Sequence, residues 1–293
     1  MASAPATPES TVDSREPAAG PAVPTAGPAG HEWSYRAGGQ QAAFFDLDRT
    51  LIAGSSAFTF AIAAWRKDMV PTGQFARDAF GAIAFKLRGD GGDHESVAKV
   101  RERILHAVEG SRQQDLIALN ETIVPKLLSK VRPEARTLLE SHTQRGHATF
   151  IVSAAPVEIV EPLAQALGMT AGLGTRAVVE DGVYTGELAG PFCYGPGKVD
   201  AITDVAHWEG YDLSRCYAYS DSASDLPMLE AVGHPVAVNP DARLGAAAAA
   251  RGWPVVIFSR RTRQVVRRST AGAAAVSLAG AGFAAGYQVA RRR

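Results

Sequence analysis

Between residues 133 and 258 short apolar runs alternate with helical stretches, and the runs close on small polar or acidic side chains. Ala148 to Val152 is a β-branched and aromatic run that stops at Ser153. Cys216 to Tyr219 stops at Ser220-Asp221. Val236 to Val238 and Val255 to Phe258 are two further apolar runs. Helical patterns lie between them at Pro133–Arg145, Val157–Leu167, Val199–Trp208, Leu226–Ala231 and Ala242–Arg251. Strand and helix in strict alternation imply an α/β fold with a parallel, doubly wound sheet. The first strand of that sheet is read upstream, at Ala42-Ala43-Phe44-Phe45-Asp46-Leu47, a short buried run with acids at its end. In open sheets of this kind ligands bind at the carboxyl ends of the strands, which is where these polar groups fall. Ala177 to Glu180 and Val183 to Leu188, joined by Asp181-Gly182, read as a hairpin.

A helical block separates the first strand from the rest. Phe58, Ile62 and Trp65 form one stripe, Phe75, Ala79, Ile83 and Leu87 a second, and Val97, Val100, Ile104, Leu105 and Val108 a third. A block of this length after one strand reads as a cap domain. A chain of 293 residues favours about two domains. Residues 1–38 are rich in Ala, Pro, Gly, Ser and Thr, bury too little to offset their ordering entropy, and are expected to be disordered. They carry no apolar core of a signal peptide. The catalytic core is therefore assigned to 39–54 and 133–259, the cap to 55–132, and a basic and apolar tail to 260–293.

Thirty basic and thirty acidic residues cancel, so no whole-protein field favours nucleic acid as a partner. Two cysteines, Cys193 and Cys216, are too few for a disulfide scaffold and suit a reducing compartment. In the tail, Arg260, Arg261, Arg263, Arg267 and Arg268 precede an uncharged stretch, 269–290, with a Gly282–Gly286 GxxxG pair. That stretch is long enough to span a membrane, with the catalytic domain on the cytoplasmic side. A surface helix or a basic tail on anionic lipid are the alternatives.

The strand ends bring together Asp46 and Asp48, Ser153, and Asp221 and Asp225. Cleaving a phosphate monoester needs a nucleophile, a proton donor for the leaving group, and positive charge around the phosphoryl oxygens. Asp46 suits the nucleophile, and Asp48 suits the acid that protonates the leaving oxygen and later activates water. A carboxylate approaching a phosphate dianion needs a cation between them. Mg²⁺ prefers oxygen ligands and takes one or two carboxylates together with substrate phosphate. Asp46, the Asp48 carbonyl and Asp221 are the expected ligands, with Asp225 acting directly or through water. Ser153 and the Ala154 amide can bind a phosphoryl oxygen near a helix N-terminus. Lys198 would neutralise the transferring group. It follows Gly195-Pro196-Gly197, a loop that lets the backbone come close.

Four segments in this order resemble the four motifs of the haloacid dehalogenase (HAD) superfamily: Asp46-Leu47-Asp48-Arg49-Thr50, Val152-Ser153-Ala154-Ala155, Lys198, and Tyr219-Ser220-Asp221-Ser222-Ala223-Ser224-Asp225-Leu226-Pro227. The chain is most similar to the phosphoserine-phosphatase-like IB hydrolases. The resemblance spans Ala42 to Phe258 and implies a Rossmann-like core, an all-α C1 cap, Mg²⁺, and an aspartyl-phosphate intermediate. It also places Thr50 on the phosphate side of the site. Phosphotransferase, phosphomutase and phospho-accepting receiver activities are the alternatives. L-phosphoserine is the substrate it names. Phosphoserine phosphatases carry a substrate-binding Glu shortly after the first motif, whereas this chain has Ile52-Ala53-Gly54-Ser55-Ser56. The second motif reads Ser-Ala-Ala-Pro in place of Ser-Gly-Gly.

Other polar and aromatic residues have plainer expectations. Arg49, where small residues are common, is expected to form a structural salt bridge or to shape the cap interface. His94, His106, His142, His147, His207 and His234 show no ligand spacing and are read as structural or surface residues. Phe58, Phe60 and Trp65 are read as cap core.

Overall fold

The computed structural model describes residues 40–66, 98, 101–102, 105 and 108–258. The expected disordered segment 1–38, the middle of the cap block and the candidate span 269–290 lie outside the described residues. Among those residues no helix is long and apolar enough to cross a membrane.

Six parallel strands form the sheet, in the order β3-β2-β1-β6-β7-β8. They are β1 Ala42–Asp46, β2 Ala148–Pro156, β3 Ala171–Thr175, β6 Tyr217–Ser220, β7 His234–Val238 and β8 Val255–Val256. β1 is central and buried throughout. Its even positions, Ala42 and Phe44, join one core layer with Val152, Ile202 and Met228. Its odd positions, Ala43 and Phe45, join the other with Ile151, Ile159 and Leu163. Side chains alternate across a strand, so burial on both faces is what a parallel sheet covered by helices on each side demands. The chain moves outward from β1 through β2 to β3, then returns to the other side of β1 with β6. The crevice between β1 and β6 is thus the topological switch point.

The helices are α1 Ser56–Arg66, α2 Gln113–Ala118, α3 Asn120–Lys130, α4 Pro133–Gln144, α5 Val157–Ala166, α6 Pro196–Glu209, α7 Leu226–Glu230 and α8 Ala242–Arg251. The first four lie between β1 and β2 in the chain, and the first three of them precede the return to the sheet at Val131. Their two connections to the sheet pair with each other: Ala53 N donates to Lys130 O at 2.8 Å and Arg132 N to Leu51 O at 3.0 Å. The hairpin forms as β4 Ala177–Glu180 and β5 Val183–Leu188. It is extended by residues 110–113, where Gly110 N donates to Tyr184 O, Tyr184 N to Ser111 O and Gln113 N to Gly182 O.

Three expectations are corrected. β2 continues through Ser153 to Pro156, with a register shift against β3 after Val152. β3 is an additional strand, and its sequence, Ala171-Gly-Leu-Gly-Thr175, hides it because glycine is depleted in strands. Packing requires those glycines. A Cβ on Gly172 would stand 2.6 Å from the Val160 backbone, and one on Gly174 2.7 Å from Val157 Cα, so α5 rests directly on the strand. Phe58 is 42% exposed and not cap core. The buried face of α1 runs instead through Ser56, Thr59 and Ala63, spaced three and four apart, and position 58 is off that face. Phe60 does pack against the core.

Candidate active site

β1 delivers Asp46 to the switch point. The backbone then turns at once: Leu51 N and Ile52 N donate to Leu47 O, each at 3.1 Å, and Arg49 N to Gly54 O at 3.0 Å. This turn holds Asp48 beside the strand end. Arg49 takes a left-handed φ of 63°, uncommon for a side chain with a Cβ. Ser56 N, the first amide of α1, donates to Asp48 Oδ1 at 2.7 Å, and Ser55 Oγ makes a long 3.5 Å contact to Oδ2.

β6 ends at Ser220, which places Asp221 next to Asp46. A 3-10 turn, Ala223–Asp225, then brings Asp225 back toward the sheet. Its carboxylate accepts from Ser220 Oγ at 2.7 Å and from Lys198 Nζ at 2.8 Å. Lys198 also donates to Asp46 Oδ1 at 2.6 Å. The lysine enters from the first turn of α6. Gly195 supports that entry with φ 54°, and a Cβ on Gly197 would stand 1.9 Å from Phe192 O. No other residue fits at 197, which bears out the close approach expected of this loop. Burial alone would lower the ammonium's pKa, but the charges of Asp225 and Asp46 outweigh it and hold the group above the ordinary lysine value.

Asp46, Asp48, Asp221, Asp225, Ser153, Lys198 and Thr50 are all buried. Lys198 joins Asp46 and Asp225 directly, and Asp48 and Asp221 follow the adjoining ends of β1 and β6. Ser153 Oγ accepts from Ala155 N at 3.2 Å, just ahead of α5. Arg49 Nε pairs with Asp221 Oδ2 at 2.6 Å, so the salt bridge expected of Arg49 is present and its partner is an acid of the site. Three supports escaped sequence reasoning. Ser220 anchors Asp225. Ser56 lends its amide to Asp48. Asp241 caps α8 through Leu244 N, holds Ala223 N with its other oxygen, and donates its own amide to Asp221 O. An Asp just ahead of a helical run is an N-cap signal that marks Asp241 in sequence.

The donor chemistry suits Mg²⁺. Among the described residues, four buried carboxylates stand with the side-chain cations Lys198 and Arg49, and a hard divalent cation suits an all-oxygen set of this sign. The Thr50 hydroxyl is buried with no hydrogen-bond partner among the described residues, as befits a polar group set to meet a ligand. Among those residues no three His, Cys, Asp or Glu side chains are grouped as metal ligands, so a metal here relies on one or two carboxylates with backbone, water and substrate oxygen. Cys193 and Cys216 are free and buried. Burial raises the Cys193 thiol to about 12, so it is no nucleophile.

Away from the crevice, His142 is fully buried. Its Nε2 shares a 2.7 Å hydrogen bond with Tyr219 Oη, and its Nδ1 lies 2.9 Å from His147 Nδ1. Tyr217 stacks on His147 and on His234. These histidines are structural, as their spacing suggests.

A family model, the haloacid dehalogenase-like hydrolase, matches residues 43–230. A probable phosphatase of Mycobacterium tuberculosis is 44% identical over 220 residues, 75% of this chain and 76% of that one. The phosphoserine phosphatase SerB1 of the same organism is 38% identical over 245 residues, 83% and 79% of the two chains. A phosphoserine phosphatase solved as an analogue of its phospho-aspartyl intermediate shares the fold, with a TM-score of 0.55 at 19% identity over 78% of this chain and 99% of that one. With carboxylates from separate strand ends joined by a lysine from the first turn of α6, and relatives of this kind along most of its length, the chain belongs to the haloacid dehalogenase superfamily and is a phosphoric monoester hydrolase.

Proposed function

We propose that the chain hydrolyses a small phosphate monoester in two steps through Asp46. The observation that carries this reading is the Lys198 ammonium held between Asp46 and Asp225, which fixes the nucleophile's carboxylate inside a water-poor crevice. In the first step an Asp46 oxygen attacks phosphorus, the bond from phosphorus to the alcohol oxygen breaks, and Asp48 gives that oxygen its proton. In the second, Asp48 takes a proton from water, the water oxygen bonds to phosphorus, and the bond to Asp46 breaks. Phosphate leaves, and both aspartates are restored. Ser153, the Ala154 amide, Thr50 and Lys198 bind the phosphoryl oxygens. Asp46, the Asp48 carbonyl and Asp221 would hold Mg²⁺. Asp225, whose carboxylate is engaged by Lys198 and Ser220, would act on it directly or through water. When bound, the metal neutralises charge on the phosphoryl group.

Residues 39–54 and 133–259 act as the core and 55–132 as a cap that closes over substrate, with the paired connections at Leu51–Ala53 and Lys130–Arg132 as its attachment. SerB1 makes L-phosphoserine the named candidate substrate. The test is Asp46→Asn, assayed with Mg²⁺ on p-nitrophenyl phosphate and on phosphoserine. Turnover is expected to fall by at least ~10³-fold with an unchanged circular-dichroism spectrum and melting temperature. Mg²⁺-dependent hydrolysis near the wild-type rate would overturn the mechanism.

A further inference from the structure

Asp48 is the group that meets the leaving oxygen, so the residues on its outer side meet the alcohol that departs. Ser55, just before α1, reaches Asp48 with its hydroxyl, and Thr59 follows in the first turn of the helix. They are four apart and so share one helix face, with Thr59 about one turn, ~5 Å, beyond Ser55. Thr59 is buried, and its hydroxyl donates to Ser55 O at 3.3 Å. The same hydroxyl accepts from Lys130 Nζ at 2.6 Å. Lys130 is the last residue of α3 and is pinned at both ends: its carbonyl accepts from Ala53 N, and its ammonium rests on Thr59. None of the ion pairs among the described residues includes it. An ammonium has three donors, and Thr59 takes one.

Both ends of this contact lie in the described segments that enter and leave the cap, and neither belongs to the four motifs. A lysine on the last turn of a helix can simply complement the helix dipole. A solvated lysine in that role would have no need of a buried threonine on another helix. Here the ammonium is drawn inward, toward the face of α1 that touches Asp48, and the N-terminus of α1 adds positive potential of the same sign. Among the described residues, the carboxylate in contact with the start of this helix is that of Asp48. A substrate ammonium placed here would meet the Lys130 ammonium, whereas a substrate anion would meet a half-buried cation and the Ser55 hydroxyl.

We propose that Lys130 binds an anionic group on the leaving alcohol, so that the preferred substrates are phosphate monoesters of acidic alcohols, recognised by their carboxylate and not by an amine. This rests on the phosphatase reading above and specifies its substrate class. Phosphoserine then qualifies through its carboxylate, and its ammonium contributes little.

The experiment compares kcat/KM for four phosphates: phosphoserine, 3-phosphoglycerate (hydroxyl for ammonium), phosphoethanolamine (no carboxylate) and p-nitrophenyl phosphate (no anion on the leaving group). Wild-type protein is expected to use 3-phosphoglycerate within about fivefold of phosphoserine, and phosphoethanolamine at least about tenfold less well. In Lys130→Met the ratio of either carboxylate substrate to p-nitrophenyl phosphate falls roughly 10- to 100-fold, mostly through KM, the range of one charge-assisted hydrogen bond. Lys130→Arg keeps most of that ratio and guards against a folding defect in the Met variant. Phosphoethanolamine used as well as phosphoserine overturns the proposal. So does a Lys130→Met variant that loses all four substrates in proportion. Wild-type protein inert toward p-nitrophenyl phosphate and the other three alike refutes the phosphatase reading itself, and the proposal falls with it.

Discussion

Removing the Lys198 ammonium while keeping the side chain's bulk, in Lys198→Met, tests the centre of the site as a matter of stability. The ammonium lies 2.6 Å from Asp46 Oδ1 and 2.8 Å from Asp225 Oδ2, and all three side chains are at most 5% exposed. At an effective dielectric of about 20, each contact is worth about 6 kcal/mol of gross attraction. Desolvating three ions cancels most of that sum, so the intact cluster contributes little net. The variant does not recover the desolvation. It leaves two buried carboxylates close together without their cation, and breaking a buried pair in this way costs about 3–5 kcal/mol. For a domain of this size that is a fall in Tm of roughly 6–20 °C. The assay is urea unfolding at pH 7 without added Mg²⁺, on wild type, Lys198→Met, Asp225→Asn and the double variant. Asp225→Asn removes one of the stranded charges, so the double variant should be more stable than the sum of the single effects by more than about 1 kcal/mol. A loss below about 1 kcal/mol in Lys198→Met, or strict additivity, would refute the idea that this lysine holds buried charge together.

Two further perturbations read separate parts of the structure. Gly197→Ala sets a methyl 1.9 Å from Phe192 O and must displace the start of α6, so kcat/KM should fall by about 10²-fold, the effect of misplacing a reacting group by about 1 Å. Gly190→Ala, whose Cβ meets nothing within 4 Å, is the control and should match wild type. Burial, together with the nearby His147 and Arg145 charges, lowers the pKa of His142 from 6.5 to about 4. The unfolded chain therefore takes up this proton first, and the neutral imidazole's contribution is complete above pH 6.5 and lost progressively down to about pH 4. It amounts to about 3 kcal/mol, and His142→Phe should flatten the fall in unfolding free energy across that window. An unchanged slope would show that His142 titrates normally.

Much of the site could be read in the chain before any coordinates, because the information is local. Asp46, Ser153 and Asp221 each stand at the end of an apolar run, and a parallel sheet places all such ends along one edge. Gly197 is similar: a glycine ahead of a lysine already signals close backbone approach. β3 was not readable, since its glycines are dictated by α5 lying against it and not by strand propensity. Phe58 misled for the opposite reason: it fits a helical stripe, but α1 is oriented by the Asp48 carboxylate at its first amide and presents Ser56, Thr59 and Ala63 inward.

By itself the sequence determined the α/β class, and it proposed the candidate set of reacting groups, both from residue type and spacing. Only the tertiary structure decided which polar groups meet: Arg49 with Asp221, Lys198 with both Asp46 and Asp225, and Lys130 with Thr59 across 71 positions of chain. Pairings of that kind depend on the approach of segments remote in sequence. Their energies depend on burial, and neither is encoded in a local pattern.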